Sequence, residues 1–334
     1  MTEKEKIVVI GSNSFSGASF ISYALEENSQ TDVTGISRSA EYDDIFLPYK
    51  ENNSSRFTFH CLDLNLHLEE IIDVIKTFRP DYIVNFSAQG MVGQSWEAPE
   101  QWFHTNCIAL MNLANALKEE KYLKRFVQIS SPEVYGSCKG VIREDAQLSP
   151  STPYAASKAA GDLSLLPFFK NFNFPLVFTR ATNVYGPHQA LYRIIPRSII
   201  SVKNGDKIPL HGGGMAVKSY IHIRDVCTAT LAIARKGQNG QVYHISPDNG
   251  DISIKEVVRL ICEKLGKTFE SCVEIMDERL GQDAFYIIDS AKIRKELDWK
   301  PIIGFEQGLN EVIMWVEKNF DELLKHPREY VHKA

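Results

Sequence analysis

The sequence predicts an α/β fold: a doubly wound parallel sheet followed by a smaller C-terminal substrate-binding lobe. Three observations carry this. Short apolar runs alternate with stretches of helical period through the first half of the 334 residues, as a parallel sheet with crossover helices requires. The first run, Lys6 to Ile10, meets a turn, Gly11-Ser-Asn-Ser-Phe-Ser-Gly17, that opens onto a helix. After about Gln189 the texture changes to shorter pieces punctuated by Pro196, Pro209, Gly212 to Gly214 and Gly237, the residues that break regular structure. The expected division is residues 1–188 as a dinucleotide-binding domain and residues 189–334 as a second lobe, with some segments returning to the first.

Composition narrows the function classes. The net charge is −5, hydrophobic residues make up 44% and charged residues 24%. That is ordinary for a globular enzyme and gives no nucleic-acid footprint. The strongest basic cluster, Lys118 to Arg125, is diluted by Glu119 and Glu120. Six cysteines are scattered without a Cys-x-x-Cys pair, which points to a reducing compartment and not to a zinc ribbon or redox motif. Only four apolar residues precede Gly11 and no apolar run reaches spanning length, so neither a signal peptide nor a membrane partner is expected. A cytoplasmic protein is the expectation.

The elements follow in order. Lys6 to Ile10 is continuously apolar, as in a strand buried on both faces. Gly11 permits the tight turn, and Gly17 permits close helix–strand packing. The helix N-terminus then offers free N–H groups to a pyrophosphate. Ser14 and Phe15 lie inside this turn and count with the cofactor contacts. Asp32 to Ser37 reads as the second strand. No carboxylate stands at its end; Ser37-Arg38 does. A guanidinium there suits a 2′-phosphate, so the reading leans to NADP, with NAD otherwise. Phe57 to Cys61 leads to Asp63 and Leu64, a candidate adenine edge.

Leu68 to Phe78 reads as a helix, and Tyr82 to Phe86 as a strand that delivers Ala88 toward a cofactor and Gln89 toward a substrate. Pro99 to Lys118 reads as one long helix carrying Asn106, with Trp96 and Trp102 as packing residues near its start. Arg125 to Ile129 is a strand that presents Ser130, Ser131 and Glu133 beyond its carboxyl end, where ligands of such sheets bind. Tyr154 opens the next helix with Lys158 one turn on. Residues four apart share a helix face, and an ammonium beside a phenol favours the phenolate. Tyr-x-x-x-Lys is also a common helical surface pattern, and Glu133 also reads as a strand-end carboxylate satisfied by backbone. Leu176 to Arg180 is the sixth strand. Helices are expected over Ile254 to Leu265, Lys292 to Leu297 and Glu306 to Leu324. His188 and His211 have no Cys or carboxylate at ligand spacing, so no metal is expected.

These stretches, taken together with Arg180-Ala-Thr-Asn-Val-Tyr-Gly-Pro-His-Gln189, Tyr192-Arg-Ile-Ile-Pro-Arg197, Ile208-Pro-Leu-His-Gly-Gly213, Ser219 to Asp225, Arg279-Leu-Gly-Gln-Asp283 and Leu297-Asp-Trp-Lys-Pro301, resemble the extended short-chain dehydrogenase/reductase family. Within it they are most similar to the nucleotide-sugar 4,6-dehydratases, of the dTDP-glucose and GDP-mannose kinds, over nearly the whole chain.

The resemblance implies a Rossmann-type domain, a tightly bound and recycled dinucleotide, a nucleotide-sugar substrate and a homodimer formed through a helix bundle. It also implies roles. Tyr154, its pKa lowered by Lys158, takes the proton of the sugar 4-hydroxyl while hydride leaves C4. Ser131 binds the 4-oxygen. Glu133 removes the C5 proton, water leaves from C6, and hydride returns to C6. Gln89, Asn183, Arg197, Pro209, His211, Lys218 and Arg279 bind substrate. A 4-epimerase, a 4-dehydrogenase and a UDP-glucuronate decarboxylase are the alternatives. The chain departs from the family at Ser14 in place of a glycine, Pro132 in place of the dTDP-glucose enzymes' Asp, Lys218 in place of Arg, and Arg279-Leu-Gly-Gln-Asp in place of Arg-Pro-Gly-His-Asp. Its N-terminal half is more similar to the GDP-mannose enzymes and its C-terminal half to the dTDP/UDP-sugar enzymes, so the two halves point to different bases.

Overall fold

The computed structural model describes residues 4–51, 54–138, 140–248, 251–277 and 287–333. Seven strands form its central sheet: β1 (Glu5–Ile10), β2 (Thr31–Ser37), β3 (Phe57–Cys61), β4 (Tyr82–Asn85), β5 (Arg125–Ile129), β6 (Leu176–Ala181) and β7 (Val242–Ile245). All neighbours are parallel and the spatial order is β7-β6-β5-β4-β1-β2-β3. The order reverses beside β1, which is the switch point where ligands of doubly wound sheets bind. Register aligns the strand ends: Ile10 pairs with Ile36 and with Asn85, and Asn85 pairs with Gln128. The Gly11 turn, Ser37 and the chain beyond Asn85 therefore emerge along one edge.

Both sheet faces are dry. One is covered by a cluster that includes Ile7, Val9, Phe20, Ile21 and Tyr243, the other by Val8, Ile10, Leu110, Leu113 and Phe178. The alternation of neighbouring β1 residues between two cores explains why that strand reads as one unbroken apolar run. A further core gathers Tyr185, Ile195, Ile199, Leu210, Val257, Ile261, Leu309 and Val316, all from beyond residue 184, with Ile45 and Phe46 packed against it. Residues Ile223–Lys236, Val242–Ile245 and Ala291–Leu297 return to the first core.

Three expectations are corrected. The Pro99 helix is not uniform: Pro99–Phe103 and Leu110–Leu117 are joined by a π-helical His104–Ala109. The last helix stops at Lys318 and a separate short one spans Phe320–Leu323, because Asn319 breaks the turn with its side chain bonded back to the Trp315 carbonyl. Trp102 is fully buried as expected, but Trp96 is 59% exposed and is not a packing residue. The six cysteines are free thiols. Among the described residues no helix is long and apolar enough to cross a membrane.

Candidate active site

The glycine turn has the geometry its sequence demands. Gly11 has φ +84°, and a Cβ there would stand 2.7 Å from Ser87 N. A Cβ on Gly17 would stand 2.3 Å from the Gly11 carbonyl. Ser14 caps the Phe15–Glu27 helix, accepting from Gly17 N at 3.0 Å and donating to Gly11 O at 2.7 Å. The hydroxyl therefore braces the turn, where a glycine would leave it open. Phe15 packs against the core. Ser12 Oγ and Asn13 Oδ1 are buried in this turn with no hydrogen-bond partner, polar atoms that suit a turn built to meet a polar ligand. Ser37 Oγ accepts from Asn13 N at 3.3 Å, and Leu64 is buried while Asp63 Oδ1 accepts from Asn65 N at 2.7 Å. These residues lie at or just beyond the carboxyl ends of β1, β2 and β3, along one edge of the sheet.

Across the sheet edge, Ser131 caps a short 3-10 turn, Pro132–Tyr135, accepting from Glu133 N at 3.3 Å. Pro132 at the first position suits its fixed φ and costs no donor. Thr152 caps the Pro153–Phe172 helix, which carries Tyr154 and Lys158. Burial, and next the Glu133 carboxylate, push the Tyr154 phenol well above its ordinary range; a hydrogen bond from Ser131 and the Arg193 cation pull the other way. Ser131, Glu133 and Tyr154 thus converge on one place. The Lys158 ammonium donates to Ile129 O at 2.8 Å, and burial lowers its pKa to about 8. The expected depression of Tyr154 by Lys158 is therefore not found: the ammonium is tied to the Ile129 carbonyl, and burial and Glu133 dominate the phenol.

Behind them lies a network absent from the sequence reading. Asp162 Oδ2 accepts from Ser130 Oγ at 2.6 Å and Arg180 Nη2 at 2.8 Å. Arg180 Nη1 donates to Tyr135 Oη at 2.5 Å, and Tyr135 Oη lies 2.7 Å from His244 Nε2. Asn106, buried at the π turn, accepts from Gln89 N at 2.9 Å and donates to Gln89 O and Ser157 Oγ at 3.0 and 2.9 Å. Gly161 allows this, since a Cβ there would stand 2.1 Å from the Asn106 carbonyl. The π turn so joins the end of β4 to the Tyr154 helix, the functional placement such turns favour.

The remaining expected ligands separate. Arg197 and Pro209 line one cavity of about 350 Å³ with Ser201, Asp206 and Lys207. Asn183 Nδ2 donates to Ser219 O at 3.1 Å, beside Lys218 in the strand Val217–His222. Ala88 is exposed, whereas Gln89 is buried and donates through Nε2 to Lys333 O. Arg38 Nη2 donates to the same carbonyl at 3.1 Å. His188 and His211 each bond a backbone carbonyl, Ile45 O and Asp277 O. Arg279 lies outside the described residues. Arg193, missed in the sequence, sits three residues after Ala190 at the start of the Ile194–Asn204 helix and projects its charge onto Tyr154; its only signal was its place in Tyr192-Arg-Ile-Ile-Pro-Arg197.

The comparisons agree with this geometry. The family model of GDP-mannose 4,6 dehydratase matches residues 8–312. A dTDP-glucose 4,6-dehydratase of Streptomyces niveus is 35% identical over 75% of this chain and 74% of its own. The solved dTDP-glucose 4,6-dehydratase of Bacillus anthracis, in complex with NAD, superposes with TM-score 0.86 at 31% identity, covering 95% of this chain and 98% of that one. That of Streptomyces venezuelae, with NAD and TYD bound, superposes with TM-score 0.87 at 26% identity, covering 95% and 98%. With its glycine turn, its Tyr154–Lys158 helix and Glu133 placed on one sheet edge, the chain belongs to the nucleotide-sugar 4,6-dehydratases of the extended short-chain dehydrogenase/reductase family.

Proposed function

We propose that the protein is an NDP-hexose 4,6-dehydratase, converting a nucleotide sugar to its 4-keto-6-deoxy form. The observation that carries this reading is the meeting of a phenol, a hydroxyl and a carboxylate, Tyr154, Ser131 and Glu133, beyond β5. Oxidation of an alcohol needs a proton acceptor at its oxygen, and elimination next to the new carbonyl needs a second, separate one. A bound nicotinamide dinucleotide supplies reversible hydride acceptance. Tyr154 receives the proton of the 4-hydroxyl in its phenolate form, which the Ser131 hydrogen bond and the Arg193 charge favour against the burial that raises its pKa, and Ser131 holds the 4-oxygen. Glu133 receives the C5 proton as the C6 hydroxyl departs. Pro132 has no proton to give, so the acid for that departure is not its neighbour in sequence. Arg193, close enough to act on Tyr154, balances the charge that builds on the oxygen.

The dinucleotide lies along Gly11 to Gly17, with Ser37, Arg38, Asp63, Leu64 and Ala88 around its adenosine half. Arg38 supports NADP over NAD, while NAD is the cofactor in the solved relatives. Arg197, Pro209, His211, Lys218, Asn183, Gln89 and Arg279 serve the nucleotide sugar, and residues 189–334 form most of its lobe. Exposed apolar side chains on the two helical stretches beside the site, Ile108, Met111, Leu163 and Phe172, support a homodimer built on those helices.

The test is direct. The protein is incubated with GDP-mannose, dTDP-glucose, UDP-glucose and CDP-glucose, and products are weighed by mass spectrometry. The expected outcome is loss of one water from one of them. Epimerisation or simple oxidation without water loss overturns the dehydratase reading.

A further inference from the structure

The C-terminal segment runs from Asp206 past Tyr192 and Trp102 to side chains that follow β2 and β4. Exposure alternates along it: Arg328, Tyr330 and His332 are partly buried, while Glu329, Val331 and Lys333 are exposed, the Lys333 ammonium lying over the Tyr42 ring at 5.4 Å. It has no regular secondary structure, and side chains pin it. The His332 ring stacks on Trp102 at 5.2 Å and 12°, with Nε2 2.7 Å from Gln101 Oε1. Tyr330 meets Tyr192 edge-on at 5.3 Å. Arg328 pairs with Asp206 at 2.6 Å, beside the cavity that Arg197 and Pro209 line.

The far end reaches the sheet edge that carries the glycine turn. Lys333 O accepts from Arg38 Nη2 at 3.1 Å and from Gln89 Nε2 at 2.9 Å. Arg38 follows β2 and Gln89 follows β4, and these two strands flank β1. With β1 between them, β2 and β4 stand about 10 Å apart, and one carbonyl accepts from the side chains that follow both. The segment makes no hydrogen bond to Ser12 Oγ or Asn13 Oδ1, which keep no partner.

We propose that Tyr330–Lys333 belongs to the cofactor site, as a strap that closes over a dinucleotide lying on the glycine turn and retains it between turnovers. The inference rests on the reading of this sheet edge as a dinucleotide site. A dinucleotide that returns its hydride within each cycle has no need to leave, and a closure held by three hydrogen bonds, one ring stack and one edge-on ring contact slows its escape without making binding irreversible.

The test measures release of reduced nicotinamide dinucleotide, by its fluorescence, after a chase with excess oxidised cofactor. The unaltered protein is compared with the Tyr330→Ala/His332→Ala double variant and with Gln101→Leu, which loosens the anchor and leaves the segment whole. Release about tenfold faster in the double variant, and a smaller acceleration in Gln101→Leu, is expected, with unchanged circular dichroism. Release at the unaltered rate, or slower, in both variants overturns the strap and leaves the dinucleotide-site reading intact. Failure of the unaltered protein to bind the dinucleotide at all overturns both.

Discussion

Two successive turns of the Pro153–Phe172 helix face the same sheet edge and are built in opposite ways. The first turn carries Tyr154 and Lys158, whose protonation states are displaced: the phenol is pushed up and the ammonium down to about 8. The next turn carries Asp162, whose partner Arg180 is held above its ordinary range. Burial alone would lower Arg180, and the Asp162 and Tyr135 contacts outweigh it. Both members of that pair are 4% exposed. Donors and acceptors there run in one direction. Arg180 donates to Tyr135, and burial keeps His244 neutral, its pKa down to about 3. The His244 Nδ1–H then donates to Asp289 O at 3.1 Å, which leaves Nε2 to accept from the Tyr135 hydroxyl. The displaced protonation states sit on the first turn, and it is braced by a second turn whose opposite charges are paired, although Asp162 Oδ1 and Arg180 Nε keep no hydrogen-bond partner. Ser130 is the link, because its hydroxyl binds Asp162 while the adjacent Ile129 carbonyl receives Lys158.

The largest expected effect separates the two turns by function. Glu133→Gln keeps the shape of the 3-10 turn and its cap on Ser131, so stability should change little. Without a carboxylate to take the C5 proton, water loss should fall about 10²–10⁴-fold, the usual share of one general base. C4 oxidation should persist and appear as an accumulating reduced-nicotinamide absorbance in a single-turnover mixture. Undiminished water loss would remove Glu133 from the mechanism.

Asp162→Ala should act in the opposite sense, on the fold. It strands the Arg180 guanidinium in a nearly dry interior, and removal of one member of a buried pair costs about 3–5 kcal/mol. A chemical denaturation midpoint measures it. The companion Asp162→Asn keeps a hydrogen-bond acceptor for Ser130 and should recover part of the loss. A stability change within about 0.5 kcal/mol for Asp162→Ala would show that the second turn does not brace the first.

How much of this was legible in the sequence depends on range. The strands Phe57–Cys61 and Arg125–Ile129 and the helix Leu68–Phe78 carry their own signals, apolar runs and a 3.6 period, and the structure places them at the expected residues. The glycine turn is equally local. Asp162 and Arg180 are 18 positions apart, and nothing in either neighbourhood announces the pairing. The π turn was hidden because His104–Ala109 keeps helical composition, and only the close approach of Gly161 reveals it. Trp96 misled because an aromatic beside a proline reads as packing, whereas its side chain is exposed in a short 3-10 turn. The strap was invisible for the same reason as the ion pair: Lys333 meets Gln89 across 244 positions through a backbone carbonyl, which any residue would provide.

The smallest expected effect concerns Lys158 and sharpens the contrast by pH. Its folded pKa, about 8, lies below the ordinary 10.5. Between those values the unfolded chain holds a proton that the folded protein has released, so unfolding takes up protons and stability rises with pH across the window. Below pH 8 both states are protonated and the burial penalty is carried in full. Tyr154 and the buried thiols Cys227 and Cys262 act against this trend at higher pH, because their folded values are raised. The informative quantity is therefore the difference between the protein and Lys158→Met. That variant should be the more stable at pH 8, with its advantage shrinking by about 2–3 kcal/mol on going to pH 10. Parallel stability curves for the two proteins over that range would show that the ammonium is not desolvated. The first turn would then be as well matched as the second, and the contrast between them would fall.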